Sequence, residues 1–177
     1  MTNELSANQE LYFMSLAYEE AKKAKKIGEV PIGAVVVYQN QVIGQGHNLR
    51  EKDQDATAHA ELIAIKAACH TLNSWRLWDC QLFVTIEPCM MCSGAIINSQ
   101  LPEVYFGARD PKAGMVQSLY QLLNDQRLNH QVQVHEGLFQ KEASQIMQTF
   151  FREIRLHRKT LKKVNKLVEI LSKIEYY

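Results

Sequence analysis

Apolar residues recur along the first part of the chain with helical spacing and then with strand spacing. Residues 8–27 carry apolar side chains at helical spacing and end in lysines, which suits the negative end of a helix dipole, so they are predicted to form a helix. The β-branched run VPIGAVVVY and the run QVIGQGHN follow, separated by Gln-Asn. They predict a β-hairpin, although Gln-Asn is a weaker turn than Asn-Gly.

The rest of the chain alternates between the two spacings. The segment ATAHAELIAIKAA, residues 56–68, begins a predicted helix that runs to Leu72, and PCMMCSGAIINSQ predicts another, with Pro88 at a favourable first position. A long helical pattern runs from Gln140 almost to the C-terminus. Three further segments have strand character, the first of them nearly continuous and apolar: 81–87, 103–108 and 131–137. This order predicts an α/β protein, a three-layer α/β/α sandwich with a central mixed sheet of about five strands.

Length and composition indicate the class of protein. A chain of 177 residues with 46% hydrophobic and 22% charged residues is typical of one soluble domain with a substantial core. The net charge of +1 predicts no partner, so any nucleic-acid-binding surface must come from local clusters. No run approaches the ~20 apolar residues of a membrane span, and the polar, acidic N-terminus does not resemble an export signal. We therefore expect a cytoplasmic protein.

Two of the four cysteines form a C-x-x-C motif. Cys89 and Cys92 would lie on one face at the start of a helix, where the free N–H groups favour thiolates. The motif alone fits zinc and a redox dithiol about equally, but redox dithiols follow the first strand of a thioredoxin-like unit and this motif lies in mid-chain. Cys69 would lie about 15 Å along a helix from His59, and Cys80 is expected at the far end of the sheet. We expect both to be core or near-surface thiols.

His59 and Glu61 are an unusual opening for an apolar helix. A lone histidine there is more often a cap or a core residue, and a first-turn glutamate usually stabilises the helix dipole. However, His59 and Cys89 open successive helices with one buried strand between them, so the two helix starts can meet at one edge of the sheet. His59, Cys89 and Cys92 would supply three zinc ligands, and the lack of an evident fourth favours a catalytic ion. Glu61 would then be free to transfer protons.

Longer stretches of the chain resemble a known family. The pair H-x-E and P-C-x-x-C resembles the signature of zinc-dependent nucleobase deaminases. The segments GEVPIGAVVV, GHN, TAHAE, TIEPCMMCSGA, FGARDPKAG, NH and FFR together resemble the bacterial tRNA-specific adenosine deaminases, over nearly the whole chain to about Lys159. Cytidine, guanine and cytosine deaminases share the metal motifs, whereas GARDPKAG and FFR resemble the tRNA branch.

The resemblance implies a cytidine-deaminase-like fold and hydrolytic conversion of adenosine to inosine at the wobble position of a tRNA anticodon. It implies one Zn²⁺ per subunit held by His59, Cys89 and Cys92, with Glu61 as the proton carrier. It also implies a homodimer, and as substrate the anticodon arm of a tRNA, an arginine tRNA in particular. The residues that it implies for binding the substrate are Asn48, Ala60, Pro88, Asp110, Lys112, Phe151 and Arg152.

Two alternatives remain open. One is a guanine, cytosine or nucleoside deaminase that acts on small molecules, and the other is a non-catalytic, zinc-stabilised RNA-binding subunit. Without the resemblance, Asn48 would be a turn residue, Asp110 and Lys112 solvated loop charges, and one of Phe150 and Phe151 a core residue.

The C-terminal part departs from the family pattern. Residues 1–159 are expected to form the deaminase domain and residues 160–177 a basic, amphipathic helical extension of it. The cluster of basic residues from Arg152 to Lys173 could contact phosphates or form a solvated helix face. Four apolar residues recur at helical spacing and should favour burial: Leu161, Val164, Val168 and Leu171.

Overall fold

A computed structural model describes residues 5–174 and, for residues 167–174, the backbone alone. The predicted helices and strands follow one another in the predicted order, and a short helix and a 3-10 turn that were not predicted lie between them. Their bounds are α1 (Ala7–Lys26), β1 (Gly33–Tyr38), β2 (Gln41–His47), α2 (Arg50–Asp53), α3 (Ala60–Leu72), β3 (Cys80–Ile86), α4 (Met90–Asn98), β4 (Glu103–Ala108), a 3-10 turn (Leu122–Asn124), β5 (Gln133–Glu136) and α5 (Gln140–Ile174).

The strands form one mixed sheet in the order β2-β1-β3-β4-β5. Strand β1 is antiparallel to β2 and β3, whereas β3, β4 and β5 are parallel. Helices α3 and α4 pack on one face, and α1 and α5 pack on the other. The predicted α/β/α sandwich with a mixed five-stranded sheet is therefore confirmed.

The local sequence explains how the elements around the site form. Every residue of β3 is buried, as the continuous apolar run predicts for a central strand. Gln39 and Asn40 both have positive φ, the conformation that a two-residue type I′ hairpin turn needs. A Cβ atom on Gly46 would lie 2.6 Å from the carbonyl oxygen of Ala60. The glycine thus lets the start of α3 pack directly against the end of β2.

The start of α4 differs from the prediction. The helix begins at Met90, with Cys89 as its extended N-cap residue (φ −76°, ψ 178°), so the prediction that Pro88 occupies the first helical position is wrong. The physical reason is that the Pro88 carbonyl accepts a hydrogen bond from the Met115 backbone N–H at 3.0 Å, which holds Pro88 in the loop before the helix.

Helix α5 continues without a break across residues 159 and 160, so the boundary between domain and extension at this point stays a prediction. Leu161 and Val164 are 47% and 48% exposed, which leaves this part of the predicted apolar stripe uncovered. The side chains of Val168 and Leu171 lie outside the described residues. Within residues 5–174, no helix combines the length and apolar character that crossing a membrane requires.

Candidate active site

Three potential metal ligands meet where α3 and α4 begin. His59 and Cys89 are the N-cap residues of the two helices, and neither side chain makes a capping hydrogen bond. The Nδ1 atom of His59 lies 3.6 Å from the Sγ atoms of both Cys89 and Cys92. The three ligand atoms all lie within 4.8 Å of one another. One imidazole nitrogen and two thiol sulfurs are a donor set that fits zinc.

The electrostatics of this cluster favour a cation. Hydrogen bonding from the Cys92 thiol and from His59 lowers the pKa of Cys89 to about 4 against the opposing effect of burial. The same contact with Cys89 raises the pKa of Cys92, and burial adds to the effect. Hydrogen bonding to Cys89 also raises the pKa of His59. The lowered pKa of Cys89 favours the thiolate form that binds a cation, and a bound cation would displace the second thiol proton.

Glu61 lies beside this cluster in the first turn of α3. Its side chain is buried, and burial raises its pKa to about 6, helped by the charge of Cys89 and opposed by its backbone N–H and His59. The neighbouring Cys92 thiol has a smaller effect and acts to lower this pKa. A carboxyl group with a pKa near neutrality can both accept and release a proton, which is the property that general acid–base catalysis needs.

Asn48 follows β2 and is buried rather than exposed in a turn. Its Nδ2 atom donates a hydrogen bond to Glu29 Oε2 at 2.9 Å, and the second oxygen of Glu29 accepts from the Lys52 backbone N–H at 2.6 Å. Glu29 therefore fixes the orientation of the Asn48 amide and leaves its carbonyl oxygen available.

A second buried carboxylate, Glu87, holds the loop formed by residues 109–118. Glu87 directly follows strand β3 and precedes Pro88 and Cys89. Its two carboxylate oxygens accept hydrogen bonds from several groups of the loop. Burial acts to raise the pKa of Glu87, but hydrogen bonds from Ser118, Gln117 and Asp110 outweigh it and lower that pKa. The loop also pairs with residues 88–92, the segment that carries both cysteine ligands and is called the metal-ligand turn below. The pairing is a single antiparallel β-bridge between Cys89 and Gly114.

An open cleft of about 940 Å³ lies at the carboxyl ends of β3 and β4, on the α5 side of the sheet. It is lined by four of the predicted substrate-binding residues, which are Asp110, Lys112, Phe151 and Arg152. Phe151 is exposed and Phe150 is buried, as expected of adjacent helical residues. Asp110 also organises its own loop, since Oδ1 accepts from the Lys112 and Ala113 backbone N–H groups at 2.9 and 3.3 Å.

The cleft and the metal-ligand cluster lie at the same edge of the sheet but on different sides of it. Ala60 and Pro88 flank the cluster, whereas the cleft lining includes neither of them nor Asn48. The loop 109–118 connects the two places, because its first residues line the cleft and its middle pairs with Cys89.

The other two cysteines lie apart from the cluster. Cys80 is buried, and burial raises the pKa of its thiol to about 12. The Cys69 thiol is 3.8 Å from the Trp75 carbonyl oxygen. Both are free thiols, in agreement with the sequence analysis.

Sequence reasoning missed Glu29 and Glu87. A signal for Glu87 was present, because a charged residue directly after a continuous apolar strand and before the metal motif must find partners. Its partners begin 23 residues further along the chain, however, and nothing in the local pattern identifies them.

The fold and this site define a deaminase. The family model of the MafB19-like deaminases matches residues 7–155, and the chain belongs to that family. It is 50% identical over 157 residues to the tRNA-specific adenosine deaminase of Streptococcus pyogenes serotype M1, an alignment that covers 89% of this chain and 92% of the relative.

Two solved structures show the same fold. One comes from a study of A-to-I editing by tRNA A34 deaminases at the wobble position of transfer RNA. It has a TM-score of 0.74 and 41% identity, covering 76% of this chain and 98% of that one. The other is a guanine deaminase from Bacillus subtilis, with a TM-score of 0.54 and 34% identity over 59% of this chain and 66% of that one.

Proposed function

We propose that this protein hydrolyses adenosine to inosine at the wobble position of a tRNA anticodon. The observation that carries the proposal is the presence of a deaminase metal-ligand cluster, with a buried carboxyl group beside it, at the same sheet edge as a cleft lined by basic and aromatic side chains. The similarity to tRNA-specific adenosine deaminases along 89% of the chain supports it.

His59, Cys89 and Cys92 would hold one Zn²⁺ per subunit. A bound zinc ion lowers the pKa of its water and so makes a nucleophile available near neutral pH. With only three protein ligands, the site would have room for water, as catalytic zinc sites do.

Glu61 is the proton carrier of the proposed reaction. Its carboxylate takes one proton from the water that attacks C6 and delivers it to N1 of the purine ring. It then passes the proton of the new C6 hydroxyl to the amino group, which leaves as ammonia when the C6–N bond breaks and the C6 oxygen becomes a carbonyl. The pKa of about 6 suits both steps, because neither the protonated nor the ionised form is strongly favoured near neutral pH.

The target nucleoside is held by groups around the cluster. The Asn48 amide, oriented by Glu29, offers its carbonyl oxygen to the nucleoside. The backbone N–H groups of Ala60 and Cys89 face the water or the leaving group, and Pro88 forms the adjoining wall. The target adenine must leave its stack to reach this site, and the bases of an anticodon loop are already splayed.

The flanking nucleotides are bound in the cleft by Asp110, Lys112, Phe151 and Arg152. Basic side chains continue from the cleft along α5 at spacings of three and four residues, which places them on one helix face. Arg152 and Arg155 line the cleft, and the same face continues with Lys159, Lys162 and Lys166. Residues 152–166 hold seven basic residues and one acidic residue, so the helix attracts phosphates although the whole chain has a charge of only +1.

The assembly that we propose is a cytoplasmic homodimer acting on an arginine tRNA. Met90, Leu119 and Tyr120 are 58%, 47% and 61% exposed, and they lie on the two segments that the Cys89–Gly114 bridge joins. Such apolar exposure next to an active site fits a subunit interface. Mass measurement in solution, with Tyr120→Lys as the disrupting variant, tests this part of the proposal.

The deciding experiment measures inosine. Purified protein with stoichiometric zinc is incubated with an anticodon stem-loop carrying adenosine at the wobble position, and separately with free adenosine, guanine and cytosine. We expect inosine in the RNA alone. Ammonia from a free base, without inosine in the RNA, would instead establish the small-molecule deaminase, and zinc and RNA binding with no product from any substrate would establish a non-catalytic RNA-binding subunit.

A further inference from the structure

The geometry points to Glu87 as a positioning residue that sets the place of the substrate-binding loop 109–118 relative to the metal-ligand turn. The inference rests on the proposed function, since it concerns how the same site holds RNA. No part of the proposed chemistry uses Glu87, so its burial and its many hydrogen bonds need another explanation.

The carboxylate of Glu87 binds both ends of the loop, one oxygen joining the two ends and the other holding the second end alone. Oε2 accepts from the Asp110 backbone N–H at 2.9 Å and from the Ser118 hydroxyl. Oε1 accepts from three consecutive backbone N–H groups, those of Val116, Gln117 and Ser118, at 3.0, 2.7 and 2.9 Å. One carboxylate thus closes the loop from its second residue to its last.

The space around Glu87 is fitted to this arrangement. A Cβ atom on Gly114 would lie 2.3 Å from the Glu87 carboxylate and 2.6 Å from the Asp110 carbonyl oxygen, so any larger residue would push the loop away. The Gly114 backbone also donates to Asp110 and bridges to Cys89. The loop is therefore packed directly onto the carboxylate rather than merely near it.

Only Pro88 separates Glu87 from Cys89, the first cysteine of the cluster, and proline restricts the backbone. A carboxylate this close to Cys89 transmits the position of the metal-ligand turn to Asp110 and Lys112. The function of Glu87 is accordingly to keep the nucleotides that flank the target in register with the zinc site.

The test compares Glu87→Gln with the wild type. Glutamine has the same shape, but its amide has a single acceptor oxygen. Its NH₂ group would replace the other oxygen and face backbone N–H donors, which must move. We expect zinc content to stay at one per chain, KM for the anticodon stem-loop to rise about tenfold or more, and kcat to change less than about threefold. Val37→Ala, which removes buried volume under α1, is the control for general destabilisation and should leave KM unchanged.

A double-mutant cycle distinguishes positioning from a general structural role. Lys112→Ala should raise KM clearly in the wild-type background and much less in the Glu87→Gln background, because the released loop no longer presents Lys112. Equal effects of Lys112→Ala in both backgrounds, or an unchanged KM in Glu87→Gln, would overturn the inference.

Amide hydrogen exchange measures how firmly loop 109–118 is held, and it does not depend on enzyme activity. In Glu87→Gln, exchange should accelerate at residues 110–118 and stay unchanged in α3 and β3. If the wild type makes no inosine in RNA, the proposed function fails, and exchange then decides the structural part by itself. Unchanged exchange at residues 116–118 would overturn it, whereas selective acceleration would support it.

Discussion

Two buried glutamates close in sequence to the metal ligands have opposite properties. Burial raises the pKa of Glu61 to about 6, while hydrogen bonds from loop 109–118 lower that of Glu87 despite its burial. The difference lies in the number of N–H donors, since four backbone N–H groups and one hydroxyl face Glu87. A carboxylate with few donors can exchange protons, and a carboxylate saturated with donors can only hold a structure in place.

The largest expected effect tests the catalytic side of this comparison. Glu61→Gln keeps the shape of the side chain but cannot carry a proton, so kcat should fall by about 10³-fold or more. Zinc content and RNA affinity should be preserved. Single-turnover inosine formation and RNA binding on the same preparations measure these effects, and near-normal turnover of Glu61→Gln would show that another group carries the proton.

The second prediction concerns stability, for which Glu87 should matter more than Glu61. Glu87→Gln should lower the free energy of unfolding by about 2 kcal/mol, because at least one buried N–H group loses its acceptor. Glu61→Gln should change it by less than about 1 kcal/mol, since few donors depend on that carboxylate. Urea denaturation of both variants in parallel measures the difference, and equal losses of stability would remove the contrast.

The third prediction concerns the basic face of α5, which should affect RNA affinity without either glutamate. Lys162→Gln combined with Lys166→Gln should reduce the slope of log affinity against log salt by about 1.4 to 1.8, with kcat unchanged. Binding of full-length tRNA between low and moderate salt measures the slope. The matched control, Leu161→Gln, changes an exposed apolar side chain outside the basic face of the helix and should leave the slope as it is.

The smallest expected effect concerns a single donor to Glu87. Ser118→Ala removes the hydroxyl but keeps the backbone N–H, so the free energy of unfolding should fall by about 1 kcal/mol, as for other single hydrogen bonds, and KM should rise about two- to threefold. Thermal unfolding and steady-state kinetics test it. A loss as large as that of Glu87→Gln would mean that the hydroxyl, rather than the carboxylate with all its donors, controls the loop.

Much of the fold could be predicted because its signals are local. The apolar run of β3 and the helical spacing of α1, α3 and α5 identify those elements within a few residues. The start of α4 was misplaced because proline suits both the first helical position and the loop before it, and the choice depends on Met115, 27 residues beyond Pro88.

The sequence by itself determined the cluster of His59, Cys89 and Cys92 and the place of Glu61. Their spacing puts each of them at the start of a helix, and the order of strands and helices brings the two helix starts to one sheet edge. Only the tertiary structure decided that Glu61 has few hydrogen-bond donors around its carboxylate and that Glu87 has five. The donors of Glu87 come from a loop of irregular backbone. Every residue type except proline has the same backbone N–H group, so the pattern of side chains does not predict the direction of these groups.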